Sequence, residues 1–320
     1  MGTNNKIWVT WERQRRNRSL CKALGIKLFE FDYRTNPFIR YLLSILKTVH
    51  VFIKEGPKII FVQNPSIILA LMSVTYGFMM NKTVIVDAHN AGVFPFEGEK
   101  WWANIISIYL LRAASITLVT NDNLANHVRE KGGNPIVLPD PIPDMPVVEK
   151  TKLEGSHNVL FICSWADDEP YREVIKSALY IDDTTYIYIT GNAKKEIIDV
   201  PNNVILTGYL AESDFIQLLY SCDVVMDLTT RNDCLVCGAY EAIAVGKPLI
   251  LSDTEALRNY FYKGVLYTNN LHQDIAEKIN AANHNIDNLT AAITQLKTEK
   301  ELEWAKMKDV LNEIICSIKS

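Results

Sequence analysis

The chain has 320 residues, 48% of them hydrophobic, so it is long enough for two α/β domains with buried cores. A net charge of −4 gives no sign of a nucleic-acid partner. A chain of this length needs no disulfide staples, so its six scattered cysteines predict a reducing compartment. Cys234 and Cys237 form a lone CxxC, for which a metal or redox role is the less favoured interpretation.

The charge is divided unevenly between the two halves of the chain. Residues 1–150 carry 18 Lys and Arg against 12 Asp and Glu, a net +6. Residues 151–320 carry 15 against 25, a net −10. This asymmetry predicts different ligands for the two halves, although a chance imbalance on solvated faces explains it equally well.

Strand-like apolar runs alternate with helical patterns along the first half, which predicts a parallel sheet. Strands are predicted at residues 6–11, 58–63, 83–88 and 115–120, with helices between them. The apolar stretch at 65–80 is shorter than a membrane span and is predicted as a buried helix. The first residues are basic and polar, so no signal peptide is expected.

Four arginines follow the first strand within six residues, at Arg13, Arg15, Arg16 and Arg18. Bunching these cations is costly without anions, so they are candidates for contact with an anionic acceptor or membrane. A solvated basic loop is the alternative. The predicted helix at 36–58 has a broad apolar surface with Lys47 and Lys54 beside it. Core packing and shallow docking on anionic lipid both account for that helix.

His89 follows the predicted strand at 83–88, at the edge where parallel α/β sheets bind ligands. A neutral imidazole there can hydrogen-bond a ligand hydroxyl, whereas a purely structural histidine is the alternative. Asp87 lies two residues earlier and points the same way in an extended chain. It is a candidate to orient His89 or to act as a base.

A proline-rich segment at 134–146 separates the two halves. It holds five of the twelve prolines, which cannot continue a helix or a central strand, and it is predicted as a stiff linker. The β/α pattern then restarts, with strands predicted at 158–165, 185–191, 203–208, 223–228 and 247–253. The expected organisation is a Rossmann-like domain at 1–145, a second at 146–300, and a C-terminal helix at 301–320 that packs back toward the first. Two such domains would face a central cleft.

The segment at 231–253 carries two carboxylates, Asp233 and Glu241, in a mostly apolar stretch. A loop after the strand at 223–228 leads into a helix whose first-turn amides would form an anion site at Cys237, Gly238 and Ala239. Glu241, one turn into the helix, could accept hydrogen bonds from a ribose diol, and Asp233 could reach a sugar attached to the phosphates. These features describe a nucleotide-sugar site. The alternative is that Asp233 only stabilises the dipole of the helix and that Glu241 is only a partly buried glutamate.

This segment resembles the C-terminal signature of GT-B glycosyltransferases of family 4. That signature reads Glu, seven residues, Glu, and then Ala-x-x-x-Gly-x-Pro, and Asp233 stands at the first Glu position. The segments VQNPS (62–66), VIVDAHNAG (84–92) and CSWADDEP (163–170) are similar to those of the chitobiosyldiphosphodolichol β-mannosyltransferases. The matches keep the GT-B order along most of the chain.

The resemblance implies an α/β protein of the GT-B fold, a hexosyltransferase that moves a sugar from a nucleotide diphosphate sugar to a glycan acceptor. Cell-surface polysaccharide or lipid-linked oligosaccharide synthesis is the implied setting, and no metal or other cofactor is implied. Glu241 would bind the ribose, Asp233 would contact the donor sugar, and the acceptor would lie on the N-terminal domain. Further donor contacts are implied for Ser164, Thr190, Gly191, Gly208 and Tyr209.

The chain departs from the family pattern after the first strand of the second half. The expected Arg and Lys for the diphosphate are absent until Arg172, so Arg231, the helix amides and the arginine cluster are the candidate partners of the phosphates. The two resembled families differ in stereochemistry, one retaining and one inverting, and Glu12 is the best-placed general base for inversion. A nucleotide-sugar epimerase and a degenerate non-catalytic subunit remain alternatives.

The expected location is the cytoplasm, with peripheral attachment at the inner face of the membrane as a further expectation. The basic first half predicts peripheral attachment to anionic lipid that salt would release, since screening shortens the electric field. Charge reversal at Arg13, Arg15 and Arg16, or at Lys47 and Lys54, would then abolish that attachment.

Overall fold

The computed structural model describes residues 5–64, 66–195 and 199–317. The chain divides into two compact units. The first runs to Pro141 and resumes at Trp304, and the second comprises Ile142–Glu303. The sequence places these boundaries at residues 145 and 300. The described residues of each unit form one six-stranded sheet in which neighbouring strands are parallel.

The first sheet has the strand order β2-β1-β3-β4-β5-β6. Its strands are β1 (Lys6–Thr10), β2 (Lys27–Glu30), β3 (Ile59–Asn64), β4 (Thr83–Ala88), β5 (Ile116–Val119) and β6 (Pro135–Val137). The helices are α1 (Arg15–Leu24), α2 (Pro37–Glu55), α3 (Ile67–Met80), α4 (Asn90–Val93), α5 (Trp101–Ala113) and α6 (Asp122–Glu130), with a 3₁₀ turn at Pro95–Gly98. The central strands form because their apolar runs are buried on both faces, as parallel sheets require.

The two faces of the first sheet are covered by different helices. One face packs against α2, α3, α5 and α6 through residues such as Phe52, Val74, Leu110 and Leu124. The other packs against α1 and against the end of the chain. Alternate strand residues point to opposite faces, as Ile60 and Phe61 of β3 show.

The last helix, α12 (Ile286–Ser317), begins in the second unit and ends in the first. Leu311 and Ile315 are fully buried with α1 on the first sheet. Trp304 joins the same cluster, and its indole Nε1 donates to the Pro139 carbonyl at 3.0 Å. The C-terminal residues therefore belong to the core of the first unit.

The proline-rich segment is not a linker throughout, and that prediction is wrong for its first residues. Pro135–Val137 form β6, which pairs with β5 in parallel at the edge of the first sheet. Pro135 is tolerated because it is the first residue of an edge strand. From Leu138 to Lys150 no helix or strand is assigned among the described residues.

The second sheet has the order β12-β11-β10-β7-β8-β9. Its strands are β7 (His157–Phe161), β8 (Thr185–Thr190), β9 (Val204–Gly208), β10 (Val224–Asp227), β11 (Leu249–Ser252) and β12 (Val265–Thr268). The helices that connect them are α7 (Tyr171–Ser177), α8 (Glu212–Ser221), α9 (Cys237–Ala244), α10 (Glu255–Tyr260) and α11 (His272–His284), with a 3₁₀ turn at Ala178–Tyr180. Because every strand runs the same way, all carboxyl ends meet at one edge. The residues proposed for the donor lie at the ends of these strands, in the loops that follow them or in α9.

No helix in the described ranges is long and apolar enough to cross a membrane. The apolar stretch predicted as a buried helix forms α3, whose Leu69, Ala70 and Val74 are buried. Its opposite side is exposed, with Phe78 at 90% and Met79 at 75%. The predicted buried helix is therefore buried on one side only.

Candidate functional site

The loop after β7, residues 162–170, is built around the carboxylate of Glu169. Glu169 accepts hydrogen bonds from the backbone amides of Ser164 at 3.0 Å and Ala166 at 2.8 Å. It also accepts from the Ser164 hydroxyl at 2.9 Å and from the Cys163 thiol at 3.3 Å. These are the donors that a phosphate would use at this edge of the sheet. In the structure the carboxylate of Glu169 occupies these donors, and they include Ser164, which was predicted to contact the donor sugar nucleotide.

Thr190, predicted to contact the donor, ties the end of β8 to this loop. Its hydroxyl oxygen accepts from the Cys163 amide at 2.9 Å, and its carbonyl accepts from the Trp165 indole at 2.9 Å. Gly191 follows with φ +79°, and a Cβ built on it would lie 2.4 Å from the Cys163 carbonyl oxygen. Only glycine fits this close approach. Thr190 is buried, so its side chain positions the loop and is not exposed to a ligand.

The end of β9 lies beside this junction. The Gly191 amide donates to the Gly208 carbonyl at 3.0 Å. Tyr209 comes next, and its ring is 82% exposed while its amide donates to Asn192. Of the predicted contacts at β8 and β9, Tyr209 is the one that presents a large side chain to solvent.

Asp227, which the sequence analysis passed over, occupies the start of α9. It is the last residue of β10, and its Oδ2 accepts from the Gly238 amide at 2.7 Å. The prediction that the amide of Gly238 is open to a phosphate is therefore wrong, because Asp227 already accepts its hydrogen bond. A signal for Asp227 was present in the sequence. It is an acid at the end of an otherwise apolar strand, eleven residues before Gly238 in the first turn of a helix.

Burial raises the pKa of Asp227 well above its usual range. The Gly238 amide opposes that rise, and the negative charges of Glu169 and Glu241 add to it. The carboxyl groups of Glu169 and Glu241, from two other segments, thus act on the buried Asp227 at this edge. A buried carboxyl group whose pKa is raised by its neighbours is typical of functional sites.

Glu241 and Asp233 flank the first turn of α9, as predicted. Both side chains are half-buried, and both make contacts within the protein. Cys237, at the start of the helix, is exposed, whereas Ala239 is fully buried in the core. Cys234 is a free thiol whose pKa burial raises to about 11, which opposes a redox or metal role for the Cys234 and Cys237 pair.

Arg231, the cation expected to meet the diphosphate, lies beside Asp168. Its Nη2 is 3.4 Å from Asp168 Oδ1, and its side chain is 42% exposed. Asp168 also accepts from the Thr229 hydroxyl at 2.9 Å, which joins the loop after β7 to the loop after β10. The Thr229 carbonyl in turn accepts a hydrogen bond from the side-chain amide of Asn270 at 3.1 Å. The guanidinium thus sits on a fixed polar network at the carboxyl edge.

In the first unit, Asp87 lies in a buried ion pair. Arg16 Nη2 is 2.8 Å from Asp87 Oδ1, and Arg16 Nη1 is 2.8 Å from Asp140 Oδ1. The same guanidinium donates to the Leu138 carbonyl at 2.8 Å. Burial alone would raise the pKa of Asp87, but the charges of Arg16 and His89 hold it far below its usual range. Asp87 is therefore not available as a general base.

The prediction for Arg16 is also wrong. It was predicted to contact an acceptor or a membrane, yet its side chain is only 4% exposed. Arg13, Arg15 and Arg18 are exposed, and Arg18 pairs with Glu30 at 2.6 Å. The cluster therefore divides into one structural arginine and three surface arginines. Lys47 and Lys54 of α2 are also exposed.

His89 and Glu12 remain candidates at the carboxyl edge of the first sheet. His89 is the N-cap residue directly before α4, and its side chain is 26% exposed, with Nε2 3.4 Å from Asp87 Oδ2. Glu12 is exposed and lines a pocket with Trp11, Arg40, Tyr41, Ser44 and Ser66. Within residues 5–64, 66–195 and 199–317, no group of three His, Cys, Asp or Glu side chains could hold a metal ion.

Residues 192–303 match the family described as glycosyl transferases group 1. No curated protein matches the chain by sequence. Among solved structures, the chain is similar to Anabaena HepE in complex with UDP, with a TM-score of 0.73 and 13% identity over 98% of this chain and 99% of that one. It is also similar to the sucrose-phosphate synthase of Thermosynechococcus elongatus, with a TM-score of 0.74 and 12% identity over 98% of each chain.

A third similar structure is the lipopolysaccharide outer core galactosyltransferase WaaB in its apo form. The TM-score is 0.62 and the identity 13%, over 95% of this chain and 99% of that one. The predicted GT-B fold is confirmed by these likenesses together with the two parallel sheets. The resemblance to the β-mannosyltransferases stays a prediction. The chain has the GT-B fold, and its residues 192–303 match the glycosyl transferases group 1 family.

Proposed function

We propose that the chain is a hexosyltransferase that binds a nucleotide diphosphate sugar at the carboxyl edge of the second sheet. The observation that carries this proposal is that the group 1 family match, 192–303, includes the loop and helix bearing Asp233 and Glu241. Glu241 lies one turn into α9, where its carboxylate is suited to accept hydrogen bonds from a ribose diol. The UDP named with HepE makes UDP the first nucleotide to test.

In the proposed reaction, an acceptor hydroxyl forms the new glycosidic bond to the anomeric carbon of the donor. The bond from that carbon to the diphosphate breaks, and the nucleoside diphosphate leaves with the electron pair. The hydroxyl proton passes to a carboxylate or imidazole, for which Glu12 and His89 are our candidates. Arg231 would offset the charge of the leaving group, with no metal required.

The acceptor class is proposed from two supports. The outer core galactosyltransferase among the similar structures acts on lipopolysaccharide by its name, which favours a cell-surface or lipid-linked glycan. The first 150 residues carry a net charge of +6, which suits a phosphate-bearing acceptor. On the same grounds we propose that the protein works in the cytoplasm at the inner membrane face.

The proposal is tested by incubating the full chain with UDP-, GDP- and ADP-sugars and following release of the nucleoside diphosphate. We expect slow donor hydrolysis with one nucleotide and no epimerised sugar, because water substitutes poorly for the true acceptor. Asp233→Asn and His89→Ala should each slow that release while the free nucleoside diphosphate still binds. Epimerisation of the donor would instead assign the chain to the epimerases.

A non-catalytic subunit is a second candidate, favoured by one observation. Glu169 and Asp227 occupy backbone amides that a diphosphate would need, and Arg172 is the first cation after β7. A subunit of this kind would bind none of the three nucleoside diphosphates. Calorimetry on the full chain therefore separates the two candidates before any acceptor is known.

A further inference from the structure

Three neighbouring helices of the first unit expose large apolar side chains on their outer sides. The most exposed on α2 are Phe38 at 77% and Ile53 at 74%. On α3 they are Phe78 at 90% and Met79 at 75%, and on α5 Trp101 is 73% exposed. We call this surface the outer apolar face of α2, α3 and α5. Contiguous exposed apolar surface on this scale marks an interaction site.

The three helices lie side by side on one face of the first sheet. The rings of Phe52 of α2 and Tyr76 of α3 pack in a tilted arrangement with centroids 4.7 Å apart, and α3 contacts α5. The inner sides of all three pack into a single core cluster. The exposed side chains are therefore on the sides that point away from the sheet, and they form one surface.

The charges within these three helices are almost all positive. Helix α3 carries no charged residue, α5 carries Arg112, and α2 carries Arg40, Lys47 and Lys54. The one acid in these helices, Glu55, is 2.8 Å from Lys27 and so is neutralised. An apolar surface bordered by cations is complementary to an anionic bilayer, where aromatic and apolar groups enter the headgroup region.

We infer that the outer apolar face of α2, α3 and α5 inserts shallowly into an anionic membrane surface. This inference stands independently of the transfer reaction. It also changes the expectation drawn from charge alone, which is attachment that salt fully releases. Insertion adds a contribution that screening leaves in place, so salt should weaken the attachment without abolishing it.

The test is co-sedimentation of the full chain with vesicles of phosphatidylcholine alone and with phosphatidylglycerol added. We expect binding to the phosphatidylglycerol vesicles that is reduced but still measurable at about 1 M salt, where the screening length falls to about 3 Å. Phe78→Ser and Ile53→Ser should each lower the partition coefficient roughly tenfold, since each removes one inserting side chain.

Val310→Ser is the matched control. Val310 is 52% exposed and belongs to the same unit, but it lies on α12. Leu311 and Ile315 of that helix pack on the opposite face of the sheet. This variant should partition like the unchanged chain. Lys47→Glu with Lys54→Glu should weaken binding at low salt and have little effect at high salt.

Trp101 gives a direct readout of insertion. Its fluorescence should shift to the blue on phosphatidylglycerol vesicles and be quenched by brominated acyl chains, and Trp101→Phe should remove most of that change. Equal partition of Phe78→Ser, Ile53→Ser and the unchanged chain would overturn the inference, as would no binding to either vesicle. Lipid-free dimerisation that Phe78→Ser abolishes, seen by sedimentation velocity, would assign the face to a second copy instead.

Discussion

Arg16 and Asp87 neutralise each other inside the first unit, 2.8 Å apart and with almost no exposure of either side chain. Two of the residues chosen from the sequence for chemistry therefore maintain the structure instead. Sequence patterns alone could not reveal this, because the pair joins residues that are 71 positions apart. An arginine next to three exposed arginines looks the same in sequence as a surface residue.

Removing one partner of this pair should be costly. We expect Arg16→Met to lower the free energy of unfolding by roughly 3–5 kcal/mol, because it leaves the Asp87 carboxylate buried without its main counter-charge. Urea titration at neutral pH measures the loss. Arg13→Met is the control, since Arg13 is exposed, and should change the free energy of unfolding by at most about 0.5 kcal/mol. Similar losses for the two variants would contradict the buried-pair account.

The pH dependence of that loss follows from the lowered pKa of Asp87. The folded pKa lies below the unfolded value of about 3.9, so the stabilisation is fully present above the unfolded value. It is lost as the pH falls toward the folded pKa. The difference between Arg16→Met and the unchanged chain should therefore shrink on acidification, which urea titrations at several pH values would show.

Asp227 predicts the opposite pH dependence, because burial raises its pKa. The folded state binds the proton more tightly than the unfolded state, so the contribution of Asp227 to stability is largest below the unfolded pKa and is lost as the pH rises. Asp227→Asn removes that ionisation and keeps an oxygen to accept from the Gly238 amide. We expect the variant to gain thermal stability relative to the unchanged chain as the pH rises from about 4 to 8. A difference in melting temperature between the two chains that stays constant across that pH range would contradict a raised pKa.

At the level of elements, the ends of β8 and β9 offer a matched pair of glycines. Gly191 and Gly208 both have positive φ, at +79° and +69°. A Cβ on Gly191 meets the Cys163 carbonyl oxygen at 2.4 Å, whereas one on Gly208 meets no described atom within 4 Å. Gly208→Ala should thus cost only the backbone strain, about 1–2 kcal/mol.

Gly191→Ala should cost at least about 2 kcal/mol more, because the loop after β7 must shift to make room. Chemical unfolding of the two variants measures the difference. Equal losses would mean that this loop is not held against β8 as described.

The strands that the sequence analysis missed share a physical reason. The apolar runs predict β1, β3, β4, β5, β7, β8, β9, β10 and β11, but β2, β6 and β12 escape notice. All three are edge strands of three or four residues with half-exposed side chains. One neighbour strand and partial burial leave little apolar pattern to detect.

The same limit applies to the candidate site. The positions of Asp233 before α9 and of Glu241 within it follow from a strand, a loop and a helix that are local in sequence. The occupation of the neighbouring amides by Glu169 and Asp227 does not, because it depends on which loops meet at the carboxyl edge. Which carboxylate accepts from each amide is therefore decided by tertiary contacts, which the local sequence does not reveal.

For the whole molecule, the charge asymmetry and the surfaces suggest a division of labour between the units. The outer apolar face and the exposed basic residues of α2 belong to the first unit, whereas Asp233, Glu241 and Arg231 belong to the second. Our account is that the second unit binds the nucleotide sugar and the first meets a membrane-linked acceptor. Its central claim is nucleotide binding through Glu241.

Calorimetric titration of the full chain with UDP, GDP and ADP tests that claim most directly. The account predicts that one of them binds, and that Glu241→Ala weakens its binding by about ten- to a hundredfold, since a hydrogen bond to a charged group contributes about 1.5–3 kcal/mol. Glu277→Ala, an exposed glutamate of α11 in the same unit, should leave the affinity unchanged. Equal affinity in the Glu241→Ala variant, or no binding of any of the three nucleotides by the unchanged chain, would contradict the account.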